Sequence, residues 1–157
     1  MAFDLSSNEV ELLNAYQCLD FSRQKELKEY LRYLLCKQYR REVMVAVFQN
    51  NLFNNLFHSL LHILEGEEFD INLVSKRIYQ MRELYFGVFQ KIHFHYSEVV
   101  ENLDSNETVR EFGKNFDNIE RALYNGNETI IRLEIIEFYQ QYMILSQKKD
   151  ARKIVAV

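Results

Sequence analysis

Proline and tryptophan are absent from all 157 residues, and glycine occurs only at Gly66, Gly87, Gly113 and Gly126. Average usage would supply about eight prolines. Proline removes a backbone donor and breaks helix interiors, so its absence leaves the chain free to run as a few long helices. Scarce glycine leaves few loops able to cradle a phosphate, and no Gly-x-Ser-x-Gly nucleophile turn occurs. Function is therefore expected on helix faces or between them, without enzymatic chemistry and without a cofactor.

Cysteine is nearly absent as well. Cys18 and Cys36 fall on different helical segments, with Cys36 ~21 Å along the second, beyond the reach of a disulfide. They read as reduced thiols, consistent with a cytoplasmic location. Long apolar runs are missing: the longest is the six-residue Val43 to Phe48, far short of a membrane span. The first ten residues lack the basic start and apolar run of a secretory signal. No membrane partner is expected.

What the chain does hold is 48% hydrophobic and 27% charged residues, the balance of an ordinary globular protein. At this length one domain buries roughly 68 to 70% of its unfolded surface. Ten Tyr and twelve Phe supply bulky core material. The net charge of −4 disfavours nucleic acid as a partner.

Helix starts are marked at Ser7-Asn8-Glu9, Ser105-Asn106-Glu107 and Gly126-Asn127-Glu128, where Ser, Asn and Asp accept bonds from first-turn amides and Glu suits the dipole. Ser6 with Glu9, and Asp104 with Glu107, have the spacing of a capping box. The glycosylation patterns at Asn106 and Asn127 read as caps instead. Helices are expected at about 8–19, 22–49, 51–65, 71–103, 106–124 and 128–149, with the second and third open to being one bent helix. Residues 1–157 are thus expected to form a single all-α domain, a bundle of five to six helices.

In the fourth segment Val74, Ile78, Met81, Tyr85, Val88, Ile92, His95 and Val99 alternate steps of four and three, the seam of a bundle. Gly87 inside it permits a bend or a close neighbour. Val43 to Phe48 has no polar face, which implies burial on all sides. The β-branched content also leaves open a strand there, paired with 154–157.

Several motifs invite a chemical reading. His58 and His62 share a helix face with Glu65, as a metal half-site would. They lie roughly 120° to 180° from Phe53, however, on the polar side. His62 and His95 each begin a His-x-x-Glu, but about 30 Å separates them along a hairpin. Both pairs read as non-ligating, and no metal is expected. His95 on the seam is expected to be buried and bonded to a Tyr or a carbonyl, with a haem axial ligand as the sharper alternative.

Arg23 to Arg41 holds seven Lys/Arg against Glu26 and Glu29, interleaved as on a solvated face. Lys148, Lys149, Arg152 and Lys153 suit the negative end of the last helix. Val74-Ser75-Lys76-Arg77-Ile78 has the look of a recognition helix, but Glu65, Glu67, Glu68 and Asp70 crowd the preceding turn.

Leu12-Leu13-x-x-Tyr16-x-x-Leu19-Asp20 followed by Gln24-x-Glu26-Leu27-x-x-Tyr30-x-x-x-Leu34-Leu35-x-x-Gln38 resembles the helical segment that follows the DNA-binding domain in bacterial Cro/repressor-type regulators. The resemblance spans residues 10–38 and implies regulation and self-association. It assigns no site residue.

Two functional expectations follow. The first is a regulatory protein acting through contacts with itself as a homodimer, or with an unidentified protein partner, using Val43, Met44, Val47 and Phe48 as interface. The second is a ligand-sensing domain, globin-like or bundle, whose aromatic pocket between the fourth and last helices is lined by Met81, Tyr85, His95, Phe138, Tyr139 and Tyr142.

Overall fold

A computed structural model describes the backbone of residues 4–100, 103 and 107–155, and the side chains of 4–100, 103 and 107–147. The protein is all-α: the described residues form α1 (Ser7–Cys18), α2 (Phe21–Phe48), α3 (Asn51–Glu65), α4 (Ile71–Ser97), α5 (Glu107–Asn125) and α6 (Glu128–Val155), with no strand among them. Residues 43–48 are helical, as are Ile154 and Val155, while 156–157 lie outside the described residues.

Short polar side chains set the helix starts. Ser6 and Glu9 form the reciprocal capping box expected for α1. Asp20 accepts from the Arg23 amide at 2.9 Å to open α2. Asn50 accepts from the Phe53 amide at 3.1 Å, so α2 and α3 are separate helices with their own ends. Asp70 accepts from Asn72 and Leu73 to cap α4, and Asn127 accepts from Thr129 and Ile130 to cap α6. Each bond satisfies an amide that has no partner within its own helix. The proposed caps Asp104, Ser105 and Asn106 lie outside the described residues.

The chain divides into two compact units, residues 1–38 and 39–157, and the division falls inside α2. Within the first unit, α1 and the first part of α2 form an open helical hairpin whose contacts lie near its turn. The Gln24 amide donates to the Tyr16 and Leu19 carbonyls at 3.0 and 3.2 Å, taking up oxygens that the end of α1 leaves over. Lys28 lies over the Tyr16 ring at 5.9 Å.

The second unit is a bundle in which α3 packs on α4, α4 on α5 and α5 on α6, with the last residues of α2 contributing Tyr39, Val43, Val47 and Phe48 to its core. Aromatic rings fill the centre. Phe112 of α5 lies 5.0 Å from Phe48, 6.3 Å from Phe53, 5.4 Å from Tyr85 and 4.8 Å from Phe138, so one side chain meets four other helices. Gly113 is buried where α5 faces α4: a Cβ there would stand 3.4 Å from Tyr85 and 3.5 Å from Phe86, about ordinary contact distance. Gly126, at φ +72°, ends α5 in the left-handed conformation that glycine tolerates best.

The core seam of α4 departs from the expected one. Val74, Ile78, Met81 and Tyr85 are buried, but beyond them the buried positions are Tyr96 and Val100, while His95 and Val99 are exposed. A 3.5-residue seam falls behind a 3.6-residue helix by about 20° per heptad. After three heptads His95 lies ~60° from the direction of Val74, whereas Tyr96 lies ~40° from it. The helix also ends at Ser97 rather than 103.

Gly87 proves to be exposed, with nothing within 4 Å of a Cβ. Gly87→Ala is therefore expected to raise stability by about 1 kcal/mol, whereas Gly126→Ala, which would force a side chain into positive φ, should lower it by about 1 kcal/mol. Phe112→Ala should remove about 3 to 5 kcal/mol. Denaturant titration followed by circular dichroism checks all three signs.

Candidate interaction surface

The residues proposed as a pocket are core residues or surface residues. Tyr85, Phe138 and Tyr142 are buried in the ring cluster, where Phe57 stacks on Tyr142 at 4.6 Å and meets Phe138 at 4.9 Å. Met81 is fully buried. Tyr139 is half-buried beside Phe57, and His95 is exposed. The reason is the placement of α5: Phe112 and Phe116 each contact both Tyr85 and Phe138, filling the space between α4 and α6. An open groove of about 420 Å³ in this unit lies elsewhere, lined by Glu107, Thr108, Glu111, Phe112, Gln141, Ile144 and Leu145.

His93, rather than His95, is the histidine placed against the core. Its Nδ1 lies 3.2 Å from the Tyr39 hydroxyl, and its ring packs beside Phe89. His58 and His62 are exposed with Glu65, as their helix phase implies, and His58 rests against the edge of Tyr139. Among the described residues no three His, Cys, Asp or Glu side chains gather to share a metal ion. Val74 and Ile78, of the stretch resembling a recognition helix, are core residues. Among the described residues no helix is long and apolar enough to cross a membrane. Cys18 and Cys36 are free thiols, the first exposed and the second half-buried. The side chains of Lys148, Lys149, Arg152 and Lys153 lie outside the described residues.

The expected interface residues also require correction. Val43, Val47 and Phe48 are already covered in the core of the second unit, and Met44 is half-buried. Val45, on the other side of the helix, is 37% exposed, so the expected burial on all sides does not hold.

Exposed apolar surface is densest in the first unit, although Ile130, Leu133, Ile136 and Ile144 of α6 are exposed as well. No side chain from residue 4 to 38 is buried, although Leu5, Val10, Leu12, Leu13, Phe21, Tyr30, Leu31, Tyr33 and Leu34 are all present and exposed. Their placement has an order. Along α1, Leu12, Tyr16 and Leu19 follow steps of four and three; Tyr16 and Leu19, near the turn, are half-buried, but Leu12 is 59% exposed. Along α2, Gln24, Leu27, Leu31 and Leu34 follow the same rule. Gln24 and Leu27 are half-buried, while Leu31 and Leu34 are 44% and 40% exposed. On both helices one apolar stripe is partly covered near the turn and uncovered away from it. A hairpin under about 40 residues seldom stabilises itself without a metal, a disulfide or a partner.

In the second unit the buried hydroxyls are satisfied. Tyr85 donates to the Val109 carbonyl, Tyr142 donates to the Asn54 side chain at 3.3 Å, and burial pushes Tyr39, Tyr85 and Tyr142 above their ordinary pKa of 10.0. A hydroxyl whose pKa is raised by folding supports stability fully below the unfolded value, and that support is lost as pH rises through the folded value. Arg82 joins Glu120 and, at 3.7 Å, Asp117, which ties α4 to α5 on the surface. Asn115, nearly buried, donates to Gln141 at 2.8 Å across α5 and α6.

Comparison with family models, with curated proteins and with solved structures gives no match for this chain.

Stability is expected to fall once the pH passes 10.0, and Tyr85→Phe should lessen that fall while lowering neutral-pH stability by about 1 kcal/mol through the lost hydrogen bond. Thermal melts of both proteins from pH 7 upward read out the two effects separately.

Proposed function

We propose that this is a cytoplasmic, non-enzymatic helical protein that acts through protein contacts, regulatory in role and self-associating, with the N-terminal hairpin as its contact surface. One observation carries the reading: residues 4–38 bury no side chain, yet they hold an apolar stripe that continues past the region where the hairpin covers itself. Exposed apolar surface of this extent on paired helices is characteristic of an interface. The filled aromatic core of the second unit supports the same reading, because the rings proposed for ligand recognition are occupied with one another.

The likeness of residues 10–38 to the association segment of Cro/repressor-type regulators supports the same surface on independent grounds. It favours 4–38 over 43–48 as the place of contact.

Light scattering at micromolar concentration is expected to give twice the chain mass of 19.0 kDa. A single-chain mass at that concentration would contradict self-association.

A further inference from the structure

We infer that the uncovered stripe of the N-terminal hairpin is closed by the same hairpin of a second copy, with α1 of each lying against the first half of α2 of the other. This rests on the self-association reading above and adds its surface and its charge logic. The two helices carry opposite charge. Residues 4–20, α1 with its flanks, contain Asp4, Glu9, Glu11 and Asp20 with no Lys or Arg, a net −4, of which Asp20 is already paired with Arg23 of the same chain at 2.8 Å. Residues 21–38 contain Arg23, Lys25, Lys28, Arg32 and Lys37 against Glu26 and Glu29, a net +3.

A partner of one charge sign would be attracted to one helix of this hairpin and repelled by the other. A second copy satisfies both. A two-fold axis makes the interface isologous, so that each acidic α1 meets a basic α2 and the pairing is made twice. The alternative two-fold registers, α1 on α1 or α2 on α2, set like charges together, which is unfavourable across an interface. The apolar content supplies the driving force, because Leu12 of one copy and Leu31 and Leu34 of the other are the uncovered continuation of each helix's stripe. Two hairpins joined in this way form a four-helix arrangement, in which helices uncovered on one side become covered.

The test uses the full chain in sedimentation velocity at low salt, where exposed charges are screened least. The unaltered protein should sediment as a dimer. Leu31→Glu/Leu34→Glu, at two exposed positions, should sediment as a monomer while keeping the cooperative melt of the second unit. Lys25→Glu/Lys28→Glu/Arg32→Glu should weaken self-association about ten-fold. Mixing it with an Asp4→Lys/Glu11→Lys chain should recover a dimer containing one of each.

A monomeric unaltered protein would overturn both this inference and the self-association reading. A dimer that survives Leu31→Glu/Leu34→Glu would overturn the hairpin surface alone and leave self-association standing. Failure of the two charge-altered chains to pair would overturn the acidic-on-basic arrangement.

Discussion

The ring of Phe112 is the contact on which the second unit depends. It meets Phe48 of α2, Phe53 of α3, Tyr85 of α4 and Phe138 of α6, so four helices converge on one side chain from α5. Aromatic pairs at these separations add about 0.5 to 1.5 kcal/mol each beyond the area they bury. The surrounding polar bonds, from Tyr85 to Val109, Asn115 to Gln141 and Tyr142 to Asn54, then complete a core in which buried polar groups have partners.

That completeness gives the first unit its significance. A chain without proline makes long helices, and every long helix presents a face that has to be covered. Among the described residues of 39–157 these faces build a buried core, with Ile130, Leu133 and Ile136 of α6 left exposed. In residues 4–38 the chain makes two helices with apolar stripes and buries no side chain on either. The contrast is not one of composition, since leucine and tyrosine are plentiful in both. It is a contrast in the number of neighbours.

Much of the fold was legible in the sequence because helix ends are written locally. The Ser6–Glu9 box and the Asn127 cap act through side chains two or three residues away, so spacing alone identifies them. The polar phase of His58 and His62 was legible for the same reason. What depended on distant packing was not. His95 and Tyr96 differ by one residue, and the small mismatch between a 3.5 and a 3.6 period decides which is buried. Whether α5 stands between α4 and α6 is a matter of topology, so the six residues assigned to a pocket could not be told from core by their spacing. Val43 to Phe48 was read as buried on all sides, whereas Val43, Val47 and Phe48 are buried and Val45 is exposed, so the segment has cover on one side. The chain's own helices provide it, while on the hairpin Gln24, Leu27, Leu31 and Leu34 repeat at steps of three and four and none of them is buried.

The central claim is that residues 4–38 acquire their cover from another molecule of the same chain. Hydrogen–deuterium exchange of the full protein, compared at submicromolar and at high micromolar concentration, measures that cover directly. Amides of α1 and of the first half of α2 should exchange more slowly at the higher concentration, while those around Phe112 stay equally protected at both. Hairpin amides that exchange at the same rate at the two concentrations would contradict it.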